Sequence, residues 1–180
     1  KMHIYPSLNG PRLLKWIGGL ANSTLLSCFD ALISDTYQSP NGTKVPYSES
    51  LYRMPDCYVT YTPPPYRISI TAPPALHSEK VTFGSFNNVI KLNRKTIEVW
   101  AKILSKLDHA QLILKDRGFD STDNQELVKR WFAAEGISGE RIQFIGSSDH
   151  QEQLALHNKV DIALDPIPYS GGLCTLEALS

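Results

Sequence analysis

From residue 78 onward, short apolar runs alternate with longer stretches in which apolar residues recur every three or four positions. "VTFGSF" (81–86) predicts a strand, and "NRKTIEVWAKILSKL" behind it predicts a helix. That helix has Ile97, Trp100, Ala101, Leu104 and Leu107 on one face and Asn93 as its N-cap. "AQLILK" (110–115) predicts a second buried strand. "STDNQELVKRWFAAEG" predicts a helix with a Thr122-x-x-Gln125 capping box, a face of Leu127, Val128, Trp131 and Phe132, and a stop at Gly136. "IQFIG" (142–146) then leads into a Ser148-x-x-Gln151 box and a helix through Leu154. "VDIALD" (160–165) leads into a helix that starts near Leu173.

Strands and helices in strict alternation are the mark of a parallel sheet with crossover helices, so this half reads as a Rossmann-like α/β lobe. The first half is less regular. "LLKWIG" (13–18) and "CYVTY" (57–61) predict strands, and "SDTYQSPNGTKVPYSES" between them is rich in turn formers. "TPPPYRISITAPPALHSEK" holds five of the chain's 12 prolines and reads as an extended connection. The expected division is residues 1–78, the later part of one lobe plus the connection, and residues 79–180, most of a second lobe. No repeat of fixed period is present. The last helix lacks a stop signal and a following strand, and the first half has too few strands for a complete lobe. A fragment truncated at both ends is therefore expected.

Composition narrows the function classes. The chain has 180 residues, 42% hydrophobic, too apolar for a disordered segment. Eighteen basic residues balance 18 acidic ones, so no long-range field recruits nucleic acid or an anionic membrane. The three cysteines, Cys28, Cys57 and Cys174, are widely separated and form neither a disulfide framework nor a metal knuckle, which suits a reducing, cytoplasmic setting. The five histidines are scattered without ligand spacing, so no metal and no cofactor are expected. No signal peptide or membrane-spanning run is apparent.

The chemistry concentrates in two places. In "DPIPYSGGLCTLEAL" (165–179), Gly171 and Gly172 precede a helix start, where backbone N–H groups lack internal acceptors and carry partial positive charge. The N–H groups of Leu173, Cys174 and Thr175 suit a diphosphate there, and Glu177 suits a ribose diol. In "FGSFNNVIK" (83–91), Asn87, Asn88 and Lys91 project from the same sheet edge, and a lysine there would neutralise charge on a departing diphosphate. The plainer alternatives are a Gly-Gly turn with a solvated glutamate, and a surface lysine beside a helix cap.

The two elements occur in order, together with longer runs, and the sequence resembles glycosyltransferase family 41, the O-GlcNAc transferase and SPINDLY-like family. "KWIGGLANSTLL" resembles the family's W-x-G-x-x-N-T-T-G-L, "FDALISD" its M-D-Y-x-I-T-D, and "YSESLYRMPDCYVTYTPPP" its Y-S-E-x-L-x-R-L-P…Y-x-P-P. "VTFGSFNNVIKLNRKTIEVWAKIL", "LILKDRG", "DIALDPIPYSGG" and "TLEAL" follow bacterial members still more closely.

The resemblance implies a GT-B type α/β architecture of Rossmann-like lobes, each a parallel sheet flanked by helices, with a nucleotide sugar held by the later lobe. It implies that Lys91 contacts the diphosphate, with Asn88 near it and Gly172, Leu173, Cys174 and Thr175 at the phosphate-binding turn. Glu177 then holds the ribose, and Ser148, His150 and Gln153 face the uracil. It further implies a UDP-sugar donor, most naturally UDP-GlcNAc, inverting transfer to Ser or Thr of a protein acceptor, and upstream tetratricopeptide repeats. The chain departs from the family pattern at Gln153, in place of a histidine, at Leu173 and Cys174, in place of threonines, and at Leu25, in place of a glycine. Two rivals remain: a UDP-sugar-binding module without turnover, which Leu25, Leu173 and Gln153 favour and the retained Lys91, Asp165 and Glu177 oppose, and a UDP-sugar epimerase, which "YSESLYRMP" and "TYTPPP" oppose.

Overall fold

A computed structural model describes residues 10, 12–16 and 22–180. The remainder of the expected first strand, Ile17 and Gly18, and the middle of "KWIGGLANSTLL" lie outside the described residues. The chain divides into two compact units, residues 1–62 and 63–180.

The first unit carries a three-stranded parallel sheet in the order β1-β2-β3, with β1 Leu14–Lys15, β2 Ala31–Asp35 and β3 Ser50–Met54. "CYVTY" is not a strand. Its backbone is satisfied by side chains instead of a ladder: the Tyr58 N–H donates to Asp35 at 3.1 Å and the Tyr58 carbonyl accepts from the Trp16 indole at 2.7 Å. Asp35 also accepts from the N–H groups of Tyr37 and Gln38, so one carboxylate closes the turn after β2. Burial raises the Asp35 pKa, but these three backbone hydrogen bonds, with one from the Cys57 side chain, outweigh it and hold the carboxyl below its ordinary value. Two separated motifs meet on Glu49, which accepts from the Ser23 hydroxyl at 2.7 Å, the Thr24 N–H at 2.6 Å and the Thr24 hydroxyl.

The second unit is a four-stranded, all-parallel sheet in the order β6-β5-β4-β7: β4 Thr82–Ser85, β5 Gln111–Lys115, β6 Ile142–Ile145 and β7 Ile162–Ala163. Helices α1 Arg94–Leu104, α2 Thr122–Ala134 and α3 His150–Leu156 connect the strands, and α4 Leu173–Leu179 follows β7. The sheet and helices match the expected α/β architecture. The core joins Ile97, Trp100, Ala101 and Leu104 of α1 to Leu112 and Leu114 of β5 and to Val128 and Phe132 of α2. Burial of each large side chain contributes about 1.5–3 kcal/mol.

The caps differ from expectation in two helices. Asn93 caps α1 as expected, accepting from the Thr96 N–H at 3.0 Å. At α2 no side-chain cap forms, because a preceding 3-10 turn, Arg117–Asp120, presents the Phe119 carbonyl, which takes the Gln125 amide at 2.7 Å. At α3 the cap is Asp149, one residue later than the Ser148 box, accepting from the Glu152 N–H at 2.7 Å. Leu107 lies past the end of α1 and is 41% exposed. Gly136 ends α2 with φ +77°, as a C-terminal glycine should.

The proline-rich connection is fastened to the second unit. Asp161, just before β7, accepts from the Ala75 and Thr82 N–H groups at 2.8 Å each. Asn158 donates to the Ser69 carbonyl at 2.8 Å and accepts from the Thr71 N–H at 3.2 Å. Among the described residues, no helix is long and apolar enough to cross a membrane.

Candidate functional site

Strand order locates a crevice. From β4 the chain moves through β5 to β6, then returns to the opposite side of β4 as β7. The strand order therefore reverses between β4 and β7, and in open parallel sheets the crevice beyond the carboxyl ends of such a pair is the place for ligands. The segments leaving those two strands carry the two chemical motifs.

Their side chains meet there. Asn87, buried just after β4, donates to Asp165 at 3.3 Å and accepts from the Lys91 ammonium at 3.2 Å. Lys91 also donates to the Ser170 carbonyl at 2.9 Å and lies over the Tyr169 ring, 4.9 Å from its centroid. Asp165 accepts in addition from the Thr175 hydroxyl, 3.2 and 3.3 Å from its two oxygens. Among the described residues Lys91 enters no ion pair. It is a cation fixed by neutral oxygens, with its charge left for an incoming anion.

The turn that receives Lys91 is anchored on the start of α1. Asn93 donates to the Ile167 carbonyl at 2.6 Å, and the Thr96 hydroxyl both donates to that carbonyl, at 2.9 Å, and accepts from the Ile167 N–H, at 3.0 Å. The Ile167–Pro168 peptide is cis. Gly171 is required by close approach: a Cβ there would fall 2.1 Å from the Thr175 hydroxyl and 2.8 Å from Asp165. Gly172 faces open space and serves as the N-cap position of α4. Leu173 and Cys174 occupy the first turn, where N–H groups lack helical acceptors. The Thr175 N–H, by contrast, donates to the Gly172 carbonyl at 3.1 Å, so Thr175 faces Asp165 through its hydroxyl.

A second cluster lies on the same helix. Glu177 is 6% exposed and accepts from His150 Nε2 at 2.8 Å and from the Gln153 amide at 3.2 Å. The start of α3 is thereby tied to α4. Beside the first cluster is a cavity of about 230 Å³, lined by Asn87, Asp165, His157, Cys174 and Thr175 among others. Burial pushes the Cys174 thiol up by more than the nearby Lys91 charge pulls it down, and burial pushes the His157 imidazole down.

The structure thus brings together Lys91 with the 170–175 turn, and Glu177 with His150 and Gln153. Two expected residues stand apart. Asn88 accepts from the Ile90 N–H at 3.0 Å within its own turn and borders a different groove, with Arg117 and Trp131. Ser148 donates to the Asp149 carbonyl at 3.2 Å, a local contact. Asn87 holds the position facing Lys91 and Asp165. It precedes Asn88 in the same motif, and only the register at the end of β4 decides which amide turns inward. Tyr66, whose hydroxyl contacts His150 Nδ1, carries no signal in the sequence beyond its place in a proline-rich run.

No family model matches the chain. Over 173 residues it is 35% identical to the probable UDP-N-acetylglucosamine–peptide N-acetylglucosaminyltransferase SPINDLY of Petunia hybrida, and 34% identical to its counterpart in Arabidopsis thaliana. The chain belongs to the SPINDLY and O-GlcNAc transferase family. A solved structure of the same family, a lysine-to-methionine mutant of the Thermobaculum terrenum O-GlcNAc transferase, superposes with a TM-score of 0.87 at 30% identity, over 94% of this chain and 32% of that one. The GT-B type α/β expectation stands on that match. The alignments to SPINDLY cover 94% of this chain and 18% of each relative, so the chain spans about a fifth of the length of the family members it matches.

Proposed function

We propose that this chain supplies the donor-binding part of an inverting glycosyltransferase that moves a sugar, most simply GlcNAc, from UDP to Ser or Thr hydroxyls of proteins. The observation that carries this reading is Lys91: a cation with no ion-pair partner among the described residues, fixed between Asn87 and the Ser170 carbonyl at the mouth of the crevice. The names of the relatives supply the donor and the peptide acceptor.

The chemistry follows from where charge develops. As the bond from the sugar's anomeric carbon to the diphosphate oxygen breaks, negative charge grows on UDP, and the acceptor hydroxyl attacks from the opposite face. A preorganised ammonium then stabilises the transition state more than the ground state. The free N–H groups at the start of α4 add partial positive charge, and Glu177 accepts from the ribose hydroxyls. Gln153 presents an amide to the uracil edge, with His150 beside it. No step in this scheme calls for a metal ion.

The test is calorimetric titration of UDP into the intact protein and its Lys91→Ala variant, with UDP-GlcNAc turnover followed in parallel. UDP binding with a loss of turnover that exceeds the loss of affinity supports the transferase. Binding without turnover in either protein favours a sugar-nucleotide-binding module, and absence of UDP binding removes the site assignment.

A further inference from the structure

Glu177 is held on one side through a two-step relay. Its carboxylate only accepts hydrogen bonds, so the His150 nitrogen 2.8 Å away, Nε2, must carry a proton. In the neutral ring Nδ1 is then the acceptor, and the group that meets it is the Tyr66 hydroxyl, which donates. The Tyr66 ring also meets the imidazole edge-on, with centroids 5.9 Å apart. His150 is otherwise poorly restrained, since it is the first residue of α3 and its side chain is 46% exposed.

We propose that Tyr66, from the proline-rich connection, is a positioning residue for ribose recognition: it grips His150 at Nδ1 so that Nε2–H stays directed at Glu177. Without the Tyr66 hydroxyl, the imidazole is free to turn into solvent or to take the other tautomer. The second of these would set a nitrogen lone pair against the carboxylate. Glu177 would then keep only the Gln153 donor, at 3.2 Å, and would lose its fixed orientation toward the sugar hydroxyls. Because the connection is itself strapped to Asn158 and Asp161, Tyr66 has a rigid base from which to act. The inference rests on the UDP reading above, with Glu177 as the ribose partner.

The experiment compares UDP with 2′,3′-dideoxy-UDP, which lacks the hydroxyls that Glu177 would accept. Both are titrated into the intact protein, into Tyr66→Phe, into His150→Ala and into the double variant. The expected result is that Tyr66→Phe weakens UDP by roughly three- to tenfold, the size of one ordinary hydrogen bond, and leaves dideoxy-UDP unchanged. In the His150→Ala background, Tyr66→Phe is expected to add no further loss, because the relay is already broken. Equal weakening of both nucleotides by Tyr66→Phe would show a merely structural tyrosine and overturn the proposal, as would full additivity of the two substitutions. UDP binding to the unaltered protein with no preference over the dideoxy analogue also overturns it while leaving the donor site standing. Failure of UDP to bind at all removes the donor reading and this inference with it.

Discussion

The Lys91 ammonium lies 2.9 Å from the Ser170 carbonyl, joining the segment after the first strand of the sheet to the segment after its last. The contact fixes a point charge on a flexible stem in a space bounded by the Tyr169 ring and the Asn87 amide. A guanidinium is planar, broader and forked, and does not fit that space with the same geometry. Lys91→Arg is therefore expected to keep the charge and still lower UDP-GlcNAc turnover by about 10–100-fold, with a smaller change in UDP affinity. Steady-state kinetics beside calorimetry would check it, and wild-type turnover in Lys91→Arg would show that charge alone suffices.

Gly171→Ala places a methyl group against the Thr175 hydroxyl and both Asp165 and Asn87, at 2.1, 2.8 and 3.1 Å. Thr175 must rotate, which takes its hydroxyl from Asp165. The expected outcome is a loss of about 1–3 kcal/mol in denaturant unfolding, together with weaker UDP binding. Gly172→Ala, whose Cβ meets nothing within 4 Å, is the control and should unfold near the unaltered protein.

Leu25 has φ +57°, the left-handed region, where a β-carbon is crowded by its own backbone, and its side chain is 71% exposed. A glycine would meet no such crowding, so the backbone here holds a conformation better suited to glycine than to leucine. Leu25→Gly relieves about 1–2 kcal/mol of strain and returns about 0.5–1 kcal/mol as unfolded-chain entropy. A small net gain in thermal stability is expected, and a lower Tm would contradict the strain account.

Glu49 links acid stability to the first unit. Burial pushes its carboxyl up, but the Thr24 hydroxyl, the Ser23 hydroxyl and the Thr24 N–H outweigh burial and bring it from an ordinary 4.5 to about 2. A pKa lowered by folding stabilises above the unfolded value, and that stabilisation is lost as pH falls from about 4.5 to about 2. Glu49→Gln should cost about 1–3 kcal/mol at pH 7. The gap between the two proteins should close on acidification through that window, and a gap that persists unchanged at its acid end would rule out the carboxylate as its source.

The second unit was legible in the sequence because its core is apolar and periodic: Ile97, Trp100, Ala101 and Leu104 mark α1 without any tertiary information. The first unit hid its strands for the opposite reason. β2 buries Ser34 and Asp35 beside Leu32, and β3 alternates through Arg53, so neither displays an apolar run. "CYVTY" displays one and forms no strand, because Asp35 and Trp16 occupy its backbone groups. In the site, Lys91 and Glu177 could be read from their motifs. The choice of Asn87 over Asn88 could not, since it turns on the register of one residue at the end of β4, and Tyr66 could not, since its partner is 84 positions away.

That distance has a kinetic side. Asn87 meets Asp165 across 78 residues and Lys91 meets Ser170 across 79, so none of these contacts is made until the intervening strands have paired and brought their ends together. Closing so long a span is repaid only after the sheet exists. The crevice is accordingly a late product of folding, formed only once the strands that carry its rim are already packed.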